Sequence, residues 1–360
     1  MDHISMGAPQ WKPQAEKLER LLGFKFLHSW EAGENSDFDG CVSQVRGTGI
    51  EFEIISPSRE DSFVNKFLAQ NGPGLHHITV EVSDINEAAA EIERLGMKPF
   101  GGIVDDGAWY LTYIHPKDSG GILWQLFVSH RPPHDVDRNA GGGAVNLQRV
   151  DHVSMAVSDL ERQIEWQQRV FGGEVQGRWS NEQLGYHGAI MTLPGSLLKF
   201  EMIQPSRPDS FVQKFIETRR AGMHHICCEV ASVEEACEGL RANGIEPYGG
   251  IVDEGWKKHT FLHPKDSGGV LFPLYAERKP EQLTIFDCRF RSEMLLVGCR
   301  AAGLATGNGR RTNQRQSTSD TSFLRPGETP VALLRRPRCG PRPPAAWIAS
   351  GRTGVPPTRG

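Results

Sequence analysis

No stretch of this 360-residue chain approaches the ~20 consecutive apolar residues of a membrane-spanning helix, so no membrane partner is expected. Cysteine is sparse. Its seven positions (41, 227, 228, 237, 288, 299 and 339) form no Cys-x-x-Cys pair and no even framework, which points away from a disulfide scaffold and toward a reducing compartment. The opening Met1-Asp2-His3-Ile4 has no basic stretch leading into an apolar core. A secretory signal is therefore not expected, and the cytoplasm is the expected location. What remains is 38% apolar, 8% aromatic and 23% charged, the composition of a soluble globular protein, at a length that suits two or three domains.

Residues 281–360 lack lysine altogether. They hold 13 Arg against 5 acids, a balance of +8, which under a whole-chain charge of −4 leaves −12 for residues 1–280. The same segment carries 8 Pro and 9 Gly and shows no sustained apolar period. Such a sequence cannot bury enough surface to offset its chain entropy. A nucleic-acid-binding arm would be expected to interleave aromatics with its cations or repeat a motif, and this one does neither. Residues 279–360 are expected to form a disordered tail without a function, and nucleic acid is not an expected partner.

The body repeats itself. Pro57-Ser58-Arg59-Glu60-Asp61-Ser62-Phe63-Val64 returns at an offset of 148 as Pro205-Ser206-Arg207-Pro208-Asp209-Ser210-Phe211-Val212. His76-His77-Ile78 returns as His224-His225-Ile226, and His115-Pro116-Lys117-Asp118-Ser119-Gly120-Gly121 as His263-Pro264-Lys265-Asp266-Ser267-Gly268-Gly269. Each copy divides again. His3, His77, His152 and His225 each head a β-patterned run, spaced 74, 75 and 73 residues apart. Helix starts follow the last three, at Asp84-Ile85-Asn86-Glu87, Ser158-Asp159-Leu160-Glu161 and Ser232-Val233-Glu234-Glu235. Ile85, Ala88, Ala89, Ile92 and Leu95 mark one helical face, and Gly96 is a fitting stop, as is Gly244 in the fourth segment. Short β-like runs then follow, such as Ile50–Ile55, Leu111–Ile114 and Ile122–Phe127. The module reads β-α-β-β-β, four times over. Two units of two modules are expected, at 1–130 and 149–278. The glycine- and proline-rich 131–148 would be a flexible linker holding a solvated His134.

Two positions recur in register within each unit, the strand-opening histidine and a residue late in each module's last strand. Two modules related by a pseudo-twofold axis would bring His3, Glu53, His77 and Gln125 together. The corresponding set in unit 2 is His152, Glu201, His225 and Pro273, of which proline offers no donor. Two imidazoles, a carboxylate and an amide oxygen suit a divalent ion such as Co, Ni, Mn, Fe or Zn with positions open for substrate. Glu51 shares a strand face with Glu53. It maps to Lys199, whereas Glu53 maps to Glu201, so Glu53 is the better ligand candidate.

The runs Phe52-Glu53-Ile54-Ile55-Ser56-Pro57, Gly74-Leu75-His76-His77-Ile78 and Ile114-His115-Pro116-Lys117 with Gly120-Gly121 resemble methylmalonyl-CoA epimerase. That family belongs to the vicinal oxygen chelate superfamily, with glyoxalase I and the extradiol dioxygenases. The resemblance covers about 270 residues and leaves out the tail. It implies an α+β fold with four βαβββ modules paired into two units with cupped mixed sheets, and metal ligands at His3, Glu53, His77 and Gln125. The family normally carries Glu at the last of these, a group that also helps move the substrate proton. An amide can ligate but cannot act as a general base. A second family acid lies before a glycine ahead of the second strand, where Asp37, Asp39 and Glu182 are the nearest matches. An acyl-CoA substrate would want basic contacts, for which Lys117 and Lys265, with Arg59 and Arg207, are available.

The resemblance implies a divalent-metal-dependent epimerase, isomerase or lyase that polarises a carbonyl and moves an adjacent α-proton. Its substrate would be a small molecule, an acyl-CoA or a 2-oxo or hydroxy acid. Two other readings follow from the same superfamily. One is a non-haem Fe(II) dioxygenase of the ring-cleaving or 4-hydroxyphenylpyruvate type, whose last-strand Glu neither Gln125 nor Pro273 supplies. The other is a metal-free small-molecule-binding protein of the bleomycin-resistance type.

Overall fold

The computed structural model describes residues 1–33, 36–130, 137–139 and 141–278. The expected tail, 279–360, falls wholly outside this range, as does His134. The first module is β1 (His3–Gly7), α1 (Trp11–Leu22), β2 (Lys25–Trp30), β3 (Phe38–Gln44) and β4 (Glu51–Pro57). The second is β5 (Gly74–Glu81), α3 (Ile85–Arg94), β6 (Pro99–Asp105), β7 (Trp109–Ile114) and β8 (Leu123–Ser129), and α2 (Phe63–Asn71) joins the two. The third is β9 (Leu147–Ala156), α4 (Leu160–Phe171), β10 (Glu174–Asn181), β11 (Tyr186–Thr192) and β12 (Lys199–Pro205). After α5 (Phe211–Arg219) comes the fourth, β13 (Gly222–Val230), α6 (Val233–Ala242), β14 (Tyr248–Asp253), β15 (Lys257–Leu262), α7 (Pro264–Ser267) and β16 (Phe272–Glu277).

Each pair of modules makes one eight-stranded mixed sheet, in the orders β2-β3-β4-β1-β5-β8-β7-β6 and β10-β11-β12-β9-β13-β16-β15-β14. The histidine-bearing strands β1 and β5 lie side by side at the centre, antiparallel to each other. Each has its own module's last strand parallel on its other side. Parallel neighbours in one module require a crossover, and the module helix supplies it. Asp84 caps α3 by accepting from the Asn86 and Glu87 amides, and Ser232 caps α6 through the Glu235 amide. In α4 the cap is Asp159, one residue after the expected Ser158.

Helices α2 and α5 were not expected from the pattern. Their caps, Ser62 and Ser210, lie inside the repeated Asp-Ser-Phe-Val motif and accept from the Val64 and Val212 amides. Val64 and Val212 are the one residue each helix fully buries, the other apolar residues of the two helices staying partly exposed.

The two units pack through a contact made twice. Gln14 Nε2 on α1 donates to the Ser267 carbonyl at 2.7 Å, and Gln163 Nε2 on α4 donates to the Ser119 carbonyl at 3.2 Å. The Gly-Gly pairs of the repeated motif lie at this contact. A Cβ on Gly121 (φ 102°) would stand 1.9 Å from the Ala221 carbonyl oxygen, and one on Gly269 (φ 106°) would stand 2.0 Å from that of Pro73. Around them Trp124 packs on Phe171 and Phe200, and Phe24 on Phe272, in one continuous core.

The expected linker requires a correction. Its residues 141–148 are ordered against unit 1, with the Ala144 and Val145 amides donating to the Arg20 and Leu21 carbonyls. Val145 and Leu147 are fully buried. The glycines give close approach to the end of α1 rather than slack: a Cβ on Gly143 would meet the Gly23 nitrogen at 2.4 Å.

Two candidate metal centres

Strand register determines which side chains share the cupped face. His3 lies opposite Glu51 and Ser5 opposite Glu53 in the β1–β4 pair, and Ser5 also faces His77 across β1–β5. Thr79 pairs with Gln125 on β8, and Gln125 in turn with Tyr113 on β7. Paired residues point to the same side of a sheet, so all of these line one face.

His77 Nε2 stands 3.5 Å and His3 Nε2 3.9 Å from the same oxygen, Glu53 Oε2. The three atoms lie within 4.8 Å of one another, and all three residues are buried. Glu53 Oε2 and His77 Nε2 have no hydrogen-bond partner. Leaving one such buried polar atom unpaired costs ~1–3 kcal/mol. A divalent ion between the three atoms would satisfy both, and two imidazoles with a carboxylate are a fitting donor set. Gln125 is buried beside them, its Oε1 accepting from the Thr79 hydroxyl at 2.9 Å.

The groups behind the triad orient it. His3 Nδ1 meets Asp2 Oδ2 at 2.7 Å, and His77 Nδ1 meets His76 Nδ1 at 2.8 Å. Burial alone would lower the His3 pKa, but Glu53 and Asp2, with Glu51, reverse the sign and raise it. Burial also lowers His77, and the neighbouring His76 and His3 push it further down, well below the ordinary value. His77 is therefore neutral, the state a ligand needs. Trp109 lies over His3 with ring centroids 5.9 Å apart. The half-buried Tyr113 hydroxyl is held in its neutral form, first by desolvation and then by the Glu53 charge.

Unit 2 repeats the triad to the same distances. His225 Nε2 and His152 Nε2 stand 3.5 and 3.9 Å from Glu201 Oε2, and Asp151 Oδ2 braces His152 Nδ1 at 2.9 Å. The triad is slightly more open, with about an eighth of each side chain exposed. Ser154 donates to Glu201 Oε2. At the fourth corner stands Pro273, opposite Phe261 on the neighbouring strand.

The expected acids are engaged elsewhere. Asp37 Oδ2 accepts from the Phe63 amide at the start of α2 (3.0 Å), and Asp39 Oδ1 from the Ala32 amide (2.7 Å). Glu182 is exposed in the β10–β11 turn, where Arg207 binds its backbone carbonyl. None of the three belongs to either triad. Lys117 and Lys265 are exposed, Lys117 in the single 3-10 turn Pro116–Asp118 after β7 and Lys265 in α7 after β15. Tyr113, Trp109 and Cys227 reach their sites through strand pairing, which the order of residues along one strand does not show. The first could have been found by counting along β7 from its pairing with Gln125.

The family model for the glyoxalase/bleomycin resistance protein/dioxygenase superfamily matches residues 2–113 and again 151–262. The chain belongs to that superfamily. It is 35% identical over 136 residues to the mitochondrial methylmalonyl-CoA epimerase of Homo sapiens, covering 37% of this chain and 76% of that protein. It is 33% identical over 130 residues to the ethylmalonyl-CoA/methylmalonyl-CoA epimerase of Cereibacter sphaeroides, covering 35% of this chain and 96% of that one. Relatives of this size match about one unit, and they place the chain among the enzymes of the superfamily. A solved 4-hydroxymandelate synthase variant from Streptomyces coelicolor spans both units. It covers 84% of this chain and 98% of its own at a TM-score of 0.58, and with 15% identity it bears on the fold alone. Among the described residues no helix is long and apolar enough to cross a membrane.

Proposed function

We propose that unit 1 is a divalent-metal-dependent site that moves the proton α to a substrate carbonyl, with acyl-CoA thioesters as the substrate class. The observation that carries the metal is the buried, unpartnered pair Glu53 Oε2 and His77 Nε2, facing each other with His3 Nε2. Similarity to acyl-CoA epimerases carries the substrate class. His3, Glu53 and His77 would hold the ion, with Gln125 Oε1 as the fourth donor. Bound there, the ion supplies Lewis-acid polarisation of the carbonyl.

The chain's own groups supply the rest. Asp2 and His76 fix the two imidazole rings from behind. Gln125 cannot take a proton. Glu51 stands on the same face and can, while Tyr113, held in its neutral form on that face, can donate a hydrogen bond. Glu51 is in register with His3 and buried, and Tyr113 lies beside Gln125 near Glu53. We assign the α-proton to the Glu51 carboxylate and the balancing hydrogen bond to the Tyr113 hydroxyl. Trp109, beside His3 and packed at a tilt against Phe127 with ring centroids 4.6 Å apart, keeps water from that end of the cup.

The test is uptake of solvent deuterium at the α-carbon of methylmalonyl-CoA and related thioesters, alongside the bound metal content. Metal that is lost, together with exchange, in His77→Ala supports the proposal; equal metal in both proteins overturns it. A second reading rests on one observation, that two histidines and a carboxylate are also the ligand set of Fe(II) oxygenases. Oxygen uptake by the Fe(II)-loaded protein with catechols or arylpyruvates would favour that reading.

A further inference from the structure

We propose that the second unit is a thiolate-bearing metal centre in which Cys227 joins His152, Glu201 and His225 as the fourth protein donor. The inference does not depend on catalysis by unit 1.

The argument starts from a pair of exchanges. In unit 1 the fourth corner is Gln125, tied to the Thr79 hydroxyl, which also lies 2.9 Å from His3 Nε2. Unit 2 has Pro273 in place of Gln125 and Cys227 in place of Thr79, both at the offset of 148. The oxygen donor is lost from one strand and a sulfur donor is gained on the next. Cys227 pairs directly with His152 across β9–β13, so thiol and imidazole rise from the same face. The Cys227 side chain is 7% exposed and forms no disulfide. It neighbours the His152 ring, whose Nε2 converges with His225 Nε2 on Glu201, and its Sγ stands outside the 4.8 Å group of those three atoms, so it would close on them only with the ion. The adjacent Cys228 faces the other way and is fully buried in the core.

Cys227, His152 and Asp151 also form a thiol–imidazole–carboxylate row, the composition of a nucleophilic triad. That role needs the imidazole nitrogen free to take the thiol proton. Here Glu201 and His225 crowd the same nitrogen, as they would around an ion. The residues that unit 1 offers for proton movement are also gone, since Glu51 is matched by Lys199 and Tyr113 by Phe261. Lys199 instead binds Asp151 at 3.0 Å.

Four protein donors with one thiolate make a closed site suited to a thiophilic ion such as Zn(II), the composition of a structural rather than a catalytic centre. On binding, the thiol proton leaves to solvent and the sulfur bonds the ion as a thiolate.

The experiment is a Co(II) titration of the chelator-stripped full chain, followed by absorbance and by bound-metal analysis. Thiolate–Co(II) bonds absorb strongly in the near ultraviolet, whereas the nitrogen and oxygen donors of unit 1 do not. The expected result is two ions per chain, one of them with the sulfur band. Cys227→Thr, which restores the side chain that unit 1 carries there, should abolish the band and weaken that ion by on the order of tenfold or more. His225→Ala should remove both the band and one ion, while His77→Ala should remove the other ion and leave the band. A chain that binds its second ion without a sulfur band overturns the proposal, as does one whose band or stoichiometry is unchanged by Cys227→Thr or His225→Ala. Loss of the effect of His77→Ala alone would count against the unit 1 proposal and leave this one standing.

Discussion

The two cups share their triads to a tenth of an ångström, and the groups that brace the imidazoles from behind, but differ in the side chains that surround the triads on the sheet face. Unit 1 surrounds its triad with Glu51, Thr79, Trp109, Tyr113 and Gln125. Unit 2 has Lys199, Cys227, Lys257, Phe261 and Pro273 at the same places. In unit 1 the base-capable carboxylate and the phenol face the site. In unit 2 Arg149 and Lys199 both pair with Asp151, while Lys257 adds positive charge beside His225. Duplication preserved the part of the site that the sheet register enforces and released the part that the chemistry selects. The triad is common to both units, so the proposed difference in activity rests on its surroundings.

The sharpest way to break the comparison is to remove one imidazole from each unit. His77→Ala should lower deuterium exchange by on the order of 10³-fold or more, since an interaction that stabilises the developing oxyanion is lost with the ion. His225→Ala should leave exchange within about twofold of wild type. Next come the proton-moving groups. Glu51→Gln should lower exchange by ~10²–10⁴-fold, the range typical of a general base, with the metal content unchanged. Tyr113→Phe, which gives unit 1 the residue of unit 2, should cost less, about tenfold, as one lost hydrogen bond of ~1–2 kcal/mol. If Glu51→Gln exchanged as fast as wild type, the assignment of the base would fail.

The unit contact supplies a stability test of the same symmetry. Gly121→Ala and Gly269→Ala each force a Cβ against a carbonyl at positive φ. Each should lower unfolding stability by ~1–3 kcal/mol in a denaturant melt, and by similar amounts if the contact is truly made twice. A loss confined to one of them would show that the units no longer pack symmetrically.

The smallest effect is on acid stability. Burial lowers His76 and His224 to about 4, below the ordinary 6.5. The unfolded chain then binds protons that the folded chain excludes. Their contribution is full above pH 6.5 and is lost as pH falls toward 4. Between pH 7 and 6 each should cost ~0.7 kcal/mol in metal-free protein. His3 and His152, both raised, act in the opposite sense. His76→Gln should therefore flatten the acid limb, as read from denaturation midpoints across that window.

Much of this was legible from the residues because the repeat is long and the module short. The offset of 148 exposed the two units, and the strand-opening histidines divided each again. Glu53 separated from Glu51 because only Glu53 has an acidic counterpart. What escaped notice depends on pairing rather than on order. Cys227 and Tyr113 matter through the strands opposite them, and no single strand reveals its register. Asp37 and Asp39 match the family acid only by standing ahead of a glycine, and the bonds they make are to backbone amides of neighbouring segments. The glycines at 141–143 read as slack because composition does not distinguish a flexible segment from a tight crossing.

The most direct test of the account is deuterium incorporation at the α-carbon of methylmalonyl-CoA by metal-loaded wild type, His77→Ala and His225→Ala, with metal content measured on the same samples. The account predicts exchange in wild type and in His225→Ala, and its loss together with one ion in His77→Ala. Exchange that survives in His77→Ala and vanishes in His225→Ala would place the working site in unit 2 and contradict it.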